Sequence, residues 1–246
     1  MAMKDGVRVG LIGLGAVGHH FATHLLAAHG RLTAHDIDAG AVARAAEAGA
    51  ETVASPREVA AASDVVILSL PSPDAVEQVM RGEGGVLAGA RAGALVIDTS
   101  TVGPETSRAI EAAARANGVD YLDAPITTAQ PGGASTEGAA AGTATFLVGG
   151  TADAFARARP FLELLGHSAH HLGPSGAGSV VKLITNHISG IELLIYAEAQ
   201  AIASAAGVSA EALLDVVDDT IAKSYVLKEL VDPRVRARDF EPGFSI

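Results

Sequence analysis

Glycines recur in this sequence at a spacing that suits the binding of a dinucleotide. Gly13, Gly15 and Gly18 directly follow the apolar run Val7–Ile12 and open a helical pattern. In such a turn the first glycine permits the tight bend, the second lets a pyrophosphate approach the backbone, and the third lets the helix pack on the strand. Free N–H groups at the helix start add a partial positive charge. We therefore predict that the whole turn binds the cofactor, through Gly13, Leu14, Gly15, Ala16, Val17 and Gly18.

The kind of dinucleotide is indicated by the end of the next apolar run. Asp36 lies there, about 20 residues beyond the glycine turn, where a carboxylate would bind the ribose 2′-hydroxyl. Ile37 follows, so no arginine stands ready for the 2′-phosphate of NADP. The sequence predicts NAD as the cofactor and disfavours NADP.

Lys182 and Asn186 are the second pair of residues that could do chemistry. The chain has four lysines, and Lys182 is the one that lies inside an apolar run, Val180–Ile184. Lys182 and Asn186 are four positions apart, which places them one turn apart on the same face of a helix. An amine and an amide there could hold a hydroxyl and a carboxylate together. Spacing alone still favours a lysine that lays its stem along an apolar surface.

The nine histidines are interpreted as structural or solvated side chains. His20 and His24 have the i, i+4 spacing of metal ligands, but no third ligand is evident. His187, next to Asn186, is retained as a possible neighbour of the site. We expect no metal.

Alternating patterns predict the elements that position these residues. From Val7 to about His171, short apolar runs alternate with helical stretches such as Val17–His29, which indicates an α/β, doubly wound, mainly parallel sheet of the Rossmann type. The predicted strands are Val7–Gly13, Leu32–Asp36, Val65–Leu70, Ala94–Asp98, Val119–Asp123, Thr145–Gly149 and Ser168–Leu172.

A second, all-α domain is predicted after the sheet. One long helix, Gly176–Ala206, has no strand signal and no proline. Shorter helices are predicted over Ala210–Asp219 and Ala222–Val231, with Pro233 as a stop. The chain therefore divides into residues 1–172, a dinucleotide-binding domain, and residues 173–246, a helical domain for substrate binding and dimerisation.

Composition excludes several classes of protein. The chain has 246 residues, 49% of them hydrophobic, and a formal net charge of −11, which excludes disorder and disfavours nucleic acid as a partner. It has no cysteine, which removes disulfides and thiol catalysis. The start shows no signal-peptide pattern, so we expect a cytoplasmic protein. Charge or glycine interrupts every 18-residue apolar window, so we also expect no membrane partner.

Four motifs in a fixed order resemble those of a known family. They are Gly13–Gly18, Asp123-Ala124-Pro125-Ile126-Thr127, Ala141-Gly142-Thr143 and the run from Gly176 to Asn186. The order is similar to that of the β-hydroxyacid dehydrogenases, the group of 3-hydroxyisobutyrate dehydrogenase and tartronate semialdehyde reductase, with 6-phosphogluconate dehydrogenase more distant. The resemblance covers essentially the whole chain.

The resemblance implies roles for individual residues. Lys182 matches the family's catalytic lysine, and Asn186 its substrate-side asparagine. The positions that line the dinucleotide near its nicotinamide half match Leu70, Pro71 and Thr101. The turn that grips the substrate carboxylate matches Thr127, Thr128 and Ala129.

Two departures from the family pattern affect these expectations. The carboxylate-binding turn is Ser-Gly-Gly in the family, and both glycines have acquired a Cβ in Thr128 and Ala129. Any conformation with positive φ at those positions would be strained. The family also continues past the phrase Pro242-Gly243-Phe244 into further helices, so we expect residues 173–246 to be an incomplete domain.

The resulting hypothesis is an NAD-dependent oxidoreductase that interconverts a small 3-hydroxy acid and its semialdehyde or keto acid. Lys182 would be the general acid and base. The long helix must bury its far end, so we expect a homodimer or homotetramer formed through the helical domain. Two alternatives stay open. One is an imine reductase-like enzyme, although those enzymes generally have Asp or Tyr in place of Lys182; the other is a non-catalytic dinucleotide-binding or assembly module.

Overall fold

The computed structural model describes residues 6–128 and 135–239, and the structural statements below concern these ranges. The strands β1 to β9 are Val9–Ile12, Thr33–His35, Glu51–Thr52, Val65–Leu68, Leu95–Asp98, Asp120–Asp123, Ile126–Thr127, Ala144–Gly149 and Gly166–Gly173. The helices α1 to α11 are Gly18–His29, Ala39–Glu47, Pro56–Ala62, Pro73–Arg81, Val86–Gly89, Pro104–Ala116, Ser135–Ala140, Ala152–Leu165, Ala177–Ala205, Ala210–Asp218 and Asp232–Ala237. A π-helical segment, Val226–Val231, precedes α11.

The strands form one sheet in the order β3-β2-β1-β4-β5-β6-β8-β7. The ninth strand, β9, also pairs with β8. The first six of these strands are parallel, whereas β8 runs antiparallel to β6 and β7. The predicted Rossmann-type, mainly parallel sheet is confirmed, and so is the helical region that follows it.

Helices cover both faces of the sheet, which explains why its central strands are apolar throughout. In β4, Val65 and Ile67 point into one hydrophobic core with Phe21 and Phe146. The alternate residues of the same strand, such as Val66, join a second core on the opposite face. Because side chains alternate along a strand, burial on both faces requires an unbroken apolar run.

Strand register brings the predicted site residues to one edge of the sheet. Ile12, Leu68, Asp98 and Asp123 are successive partners across β1, β4, β5 and β6. Parallel strands place their carboxyl ends on the same edge, so the four segments that follow these residues emerge side by side. This edge is where open α/β sheets bind ligands.

The second domain differs from the prediction at its end. The long helix α9 and the start of α10 are as predicted. The predicted helix Ala222–Val231 begins too early, because its helical part is the π-helical segment Val226–Val231, which is followed directly by α11. Pro233 does not stop a helix but lies in the first turn of α11. Proline is tolerated there because its missing N–H would have no intrahelical partner.

Several short elements were not predicted. The strands β3 and β7 have two residues each, too few to show a period. The helices α3 and α4 did carry a signal, since each begins with a serine followed by proline, Ser55-Pro56 and Ser72-Pro73.

Helix α9 is apolar and little buried. Within the described part of the chain, it is the one helix whose length and hydropathy, a mean of 1.2 over 18 residues, would suffice to cross a bilayer. Gly190 and Glu192 still interrupt its apolar sequence, so the expectation of no membrane partner stays a prediction. Only 11% of that window is buried within one chain, so most of its apolar surface faces outward.

Candidate active site

The glycine turn between β1 and α1 has the close contacts predicted for two of its glycines. Gly13 adopts φ +93°, and a Cβ there would overlap the carbonyl oxygen of Ser69. A Cβ on Gly18 would overlap the carbonyl oxygen of Gly13. Only glycine fits either position, because one needs a left-handed backbone and both lack room for a side chain.

Gly15 is different, because a Cβ there would meet no atom within 4 Å. It is exposed at the mouth of the turn, so its missing side chain leaves space for a ligand rather than for the protein. The N-cap of α1 is Val17, which makes no side-chain hydrogen bond, whereas α4 and α8 are capped by Ser72 and Thr151. The N–H groups of His19 and His20 donate to the carbonyls of Gly15 and Val17, but no side chain caps the helix start. The positive end of α1 therefore faces the turn without a capping oxygen and suits a phosphate, so the turn fits a dinucleotide.

Asp36 lies directly beside this turn. Its Oδ2 accepts a hydrogen bond from the N–H of Leu14 at 2.6 Å, and its Oδ1 accepts one from the N–H of Asp38 at 2.8 Å. The carboxylate is therefore fixed in place at the end of β2, and each oxygen retains a lone pair for a ribose hydroxyl. Ile37 is 98% exposed and offers no positive charge.

The residues predicted to line the nicotinamide half follow β4 and β5 at the same edge. Hydrogen bonds tie the two segments together: Leu70 N–H donates to Ser100 Oγ at 3.0 Å, and Thr99 Oγ1 donates to the carbonyl of Leu68 at 2.6 Å. Pro71 and Thr101 lie next to these anchors and are exposed. The segments are held to each other before any ligand binds.

The predicted carboxylate-binding turn begins in β7. Thr127 pairs with Thr145 of β8, and both Thr127 and Thr128 are half-buried. The one described non-glycine residue with positive φ is Arg238, so the strain expected from the lost glycine does not arise at Thr128. Ala129 lies outside the described residues.

Lys182 is buried near the start of α9. It is 7% exposed, and no hydrogen bond or ion pair to its amine is present among the described residues. Desolvation by burial lowers the pKa of Lys182 below its ordinary value of 10.5. A buried amine without a charged partner is costly to protonate, and such groups concentrate at functional sites. Asn186, one turn further along, is exposed.

Sequence reasoning assigned no role to three polar residues that the structure buries at this edge of the sheet: Asp98, Tyr121 and Asp123. Asp98 and Asp123 are each 1% exposed. Asp98 Oδ2 accepts a hydrogen bond from the hydroxyl of Tyr121 at 2.8 Å, while Asp123 binds backbone N–H groups of α9. The available signal was an aspartate ending an apolar strand, which is a position where a charge must find partners.

The histidines have structural contacts. His24 Nε2 donates to the carbonyl of Ala139 at 3.0 Å, and His19 Nδ1 lies 2.8 Å from the carbonyl of Gly15. Within the described ranges, no three histidine or acidic side chains are arranged to hold a metal ion. His187 is exposed.

Comparisons with known proteins agree with this geometry. The family model of the NAD-binding domain of 6-phosphogluconate dehydrogenase matches residues 8–173. The model for the NAD-binding of NADP-dependent 3-hydroxyisobutyrate dehydrogenase matches residues 176–246. The 2-(hydroxymethyl)glutarate dehydrogenase of Eubacterium barkeri is 34% identical over 244 residues, covering 99% of this chain and 79% of the relative. The chain belongs to the β-hydroxyacid dehydrogenase family.

Further similarities extend over the same length. The NAD-dependent L-serine dehydrogenase of Pseudomonas aeruginosa is 37% identical, over 96% of this chain and 80% of the relative. The solved structure of the Mycobacterium tuberculosis 3-hydroxyisobutyrate dehydrogenase with L-serine has a TM-score of 0.86 at 32% identity, covering 97% of this chain and 81% of that one. As a member of the β-hydroxyacid dehydrogenase family, the protein is an NAD(P)-binding oxidoreductase that acts on CH–OH groups.

An imine reductase from Myxococcus stipitatus shares the fold. Its V8 variant with NAD⁺ has a TM-score of 0.80 at 23% identity, covering 96% of this chain and 78% of that one. At this identity the likeness concerns the architecture alone.

Proposed function

We propose that this protein oxidises a small 3-hydroxy acid to its semialdehyde or keto acid with NAD, and reverses the reaction, with Lys182 as the general acid and base. The observation that carries the proposal is the burial of Lys182, whose amine has no charged partner among residues 6–128 and 135–239. A lysine on an ordinary apolar surface extends its amine into water. Here the amine is held in a poorly solvated place, on the helix that leaves the ligand-binding edge of the sheet.

The residues of this chain divide the work. Neutral Lys182 accepts the hydroxyl proton as the alcohol is oxidised, and its ammonium form returns that proton to the oxygen during reduction. Asn186 orients the substrate beside it, and Thr127, Thr128 and Ala129 bind the substrate carboxylate. When bound, NAD supplies the hydride chemistry at its nicotinamide. The lowered pKa of Lys182 raises the fraction of neutral amine at neutral pH.

The names of the relatives support a substrate class. 2-(Hydroxymethyl)glutarate, L-serine and 3-hydroxyisobutyrate each carry a hydroxymethyl group on the carbon that bears a carboxylate. We propose the same class for this protein, with the carboxylate held at Thr127 and the hydroxyl at Lys182. The cofactor proposed is NAD, because Asp36 faces the turn and Ile37 provides no cation for a 2′-phosphate.

The decisive experiment measures turnover of these three acids by wild-type protein and by Lys182→Ala, Lys182→Arg and Lys223→Ala. Lys182→Ala should lower kcat by about 10²–10⁴-fold while the Kd for NADH changes little. Lys182→Arg should be equally impaired, because arginine keeps the charge but does not release its proton. Lys223 is exposed on the same domain and serves as the matched control, with wild-type rates.

Four results would contradict the proposal or one of its parts. Near-normal turnover in Lys182→Ala would remove the lysine from the mechanism. NADH binding without turnover of any hydroxy acid would support a binding or assembly module. Turnover of cyclic imines but of no hydroxy acid would support the imine reductase alternative, and a preference for NADP over NAD would refute the cofactor proposal.

We also propose that a second copy of the chain covers α9. Isoleucines at 184, 188, 191, 195 and 202 follow a helical period along one stripe of α9 and are 41–71% exposed. Helices α10 and α11 pack elsewhere, as the burial of Tyr196 and Leu214 shows. A two-fold axis would place the same stripe on both partners, so one apolar face covers the other.

A further inference from the structure

The buried carboxylate of Asp123 caps the helix that carries Lys182. Its Oδ1 accepts a hydrogen bond from the N–H of Gly176 at 2.7 Å, and its Oδ2 accepts one from the N–H of Ser179 at 2.9 Å. Both N–H groups belong to the start of α9, which has no side-chain cap of its own. The cap therefore comes from a strand more than fifty positions earlier in the chain.

Asp123 also lies next to the other half of the predicted site. It is the last residue of β6, and the main chain continues from it into the segment that ends at Thr127 and Thr128. Lys182 follows Ser179 by one helical turn. One side chain thus fixes the start of the lysine helix to the strand that leads into the carboxylate-binding turn.

The surrounding packing leaves α9 one position on the sheet. A Cβ on Gly178 would overlap the carbonyl oxygen of Leu147, and one on Gly149 would lie 2.5 Å from Asp123 Oδ1. The hydroxyls of Ser107 and Ser179 lie 2.9 Å apart and hold the first turn from α6. The lack of side chains at Gly149 and Gly178 lets the start of α9 approach the sheet closely. The hydrogen bonds of Asp123 and of Ser107 hold it at that distance.

The hydrogen bonds from Gly176 and Ser179 also affect the pKa of the Asp123 carboxylate. Burial raises the pKa of Asp123, and the N–H groups of Gly176 and Ser179 act in the opposite direction. The titratable groups that face it are Asp98, its partner on β5, and Tyr121 on β6. The carboxylate already neutralises the positive end of α9, so that helix terminus does not serve the substrate carboxylate.

We propose that Asp123 is a positioning residue of the reaction, whose carboxylate seats the first turn of α9 and so holds the Lys182 amine in its desolvated place. The proposal rests on the role proposed above for Lys182. Without the cap, the first turn loses its partners, the helix start rises from the sheet and water reaches the amine.

The variant Asp123→Asn tests this directly, because it removes the charge and turns an amide N–H₂ toward one of the two N–H donors. The state of Lys182 can be followed without turnover, from the pH dependence of its acylation by acetic anhydride, quantified by peptide mass spectrometry. We expect the midpoint for Lys182 to move to higher pH in the variant, toward the ordinary lysine value. The rising limb of kcat/KM for oxidation should move in the same direction.

Asp123→Asn should lower the rate of turnover without weakening cofactor binding. We expect kcat at neutral pH to fall by about tenfold or more, with the Kd for NADH within about twofold of wild type, since the glycine turn is untouched. Thr151→Ala is the matched control. Thr151 Oγ1 caps α8 by accepting the N–H of Ala154 at 3.2 Å, so its loss should lower the melting temperature without moving the Lys182 midpoint.

Asp123→Asn with a lowered melting temperature but a wild-type Lys182 midpoint and pH profile would make the residue purely structural and overturn the proposal. If Asp123→Asn does not fold, Ser107→Ala removes a weaker contact to the same turn and should shift the Lys182 midpoint by a smaller amount in the same direction. An unchanged Lys182 midpoint in Ser107→Ala would then overturn the proposal. Wild-type protein that turns over no hydroxy acid would refute the proposed function, while the acylation experiment would still decide the role of Asp123.

Discussion

Among the residues that the structure describes, three charged side chains are buried, and they lie at the edge of the sheet where the strands end. Lys182, Asp98 and Asp123 are all less than one-tenth exposed. Each is costly to bury in its charged form, and each responds in the expected direction: the pKa of the lysine is lowered, and the pKa values of both aspartates are raised. Apolar residues would be less costly to bury there, and buried ionisable groups of this kind concentrate at functional sites.

Asp98 gives a prediction about stability and pH. Burial raises the pKa of Asp98 from 3.8 to about 6, although Ser100 and Tyr121 donate hydrogen bonds to it. The folded state therefore binds the Asp98 proton more tightly than the unfolded state does. Protonation of Asp98 stabilises the fold at low pH, and this contribution is lost as pH rises from about 4 to 6. The side chain of Asn does not titrate. The free energy of unfolding of Asp98→Asn minus that of wild type should therefore increase by about 2–3 kcal/mol as pH rises over that range. The measurement is urea unfolding of both proteins between pH 4.5 and 7.5.

The control for this prediction is Asp64→Asn. The Arg8 guanidinium hydrogen-bonds to Asp64 and lowers its pKa, so its titration falls below the tested range. The difference in unfolding free energy between Asp64→Asn and wild type should stay constant from pH 4.5 to 7.5. A constant difference for Asp98→Asn as well would show that Asp98 does not titrate with a raised pKa.

At the scale of elements, the turn between β1 and α1 separates glycines needed by the fold from one left free for a ligand. Gly13 and Gly18 have no room for a Cβ, whereas Gly15 has open space around it. The uncapped first turn of α1 lies beside that space. Local backbone geometry thus distinguishes residues that a motif treats alike.

Gly15→Ala should impair cofactor binding without impairing the fold. Its Cβ would meet no protein atom, so the free energy of unfolding should change by less than about 1 kcal/mol. The same methyl group would occupy the space of the pyrophosphate and weaken NADH binding by about tenfold or more. Fluorescence titration with NADH and urea unfolding measure the two effects.

Gly84→Ala is the matched control for this variant. Gly84 is an exposed loop glycine whose added Cβ would only reach Ser55 Cβ at 4.0 Å, and it should bind NADH as wild type does. Wild-type affinity in Gly15→Ala would place the pyrophosphate elsewhere.

At the scale of the whole molecule, two compact cores on the sheet contrast with a long helix that has little cover. The cores on the two faces contain the largest fully buried side chains. Along α9 the isoleucine stripe stays exposed, and such a continuous apolar surface marks an interaction site.

We predict that light scattering will give a mass of at least two chains for wild-type protein. The double variant Ile188→Glu, Ile195→Glu should give the mass of one chain, because it buries two carboxylates in the shared face. Ile37→Glu, at an isoleucine 98% exposed on the first domain, is the control and should keep the wild-type mass. A wild-type monomer that co-sediments with lipid vesicles would instead assign the stripe to a membrane.

Local patterns in the sequence were sufficient for much of the fold. Sequence patterns predicted seven of the nine described strands. In the central strands burial on both faces forces a nearly unbroken apolar stretch, whereas β9 is largely exposed. The long helix α9 and the glycine turn followed from composition and spacing. The short strands β3 and β7 and the π-helical segment had no such pattern, since two-residue strands show no period and Pro233 is compatible with a helix start.

The sequence by itself indicated the family through four short motifs in a fixed order, and the glycine turn and Lys182 lie within two of these motifs. Each motif is readable because its residues are close together in the chain. Only the tertiary structure decided that Asp123 caps α9 and that Asp98 accepts a hydrogen bond from Tyr121. Those contacts join residues on neighbouring strands or distant helices. Strand register and the seating of α9 on β8 bring them together, and no local spacing encodes either.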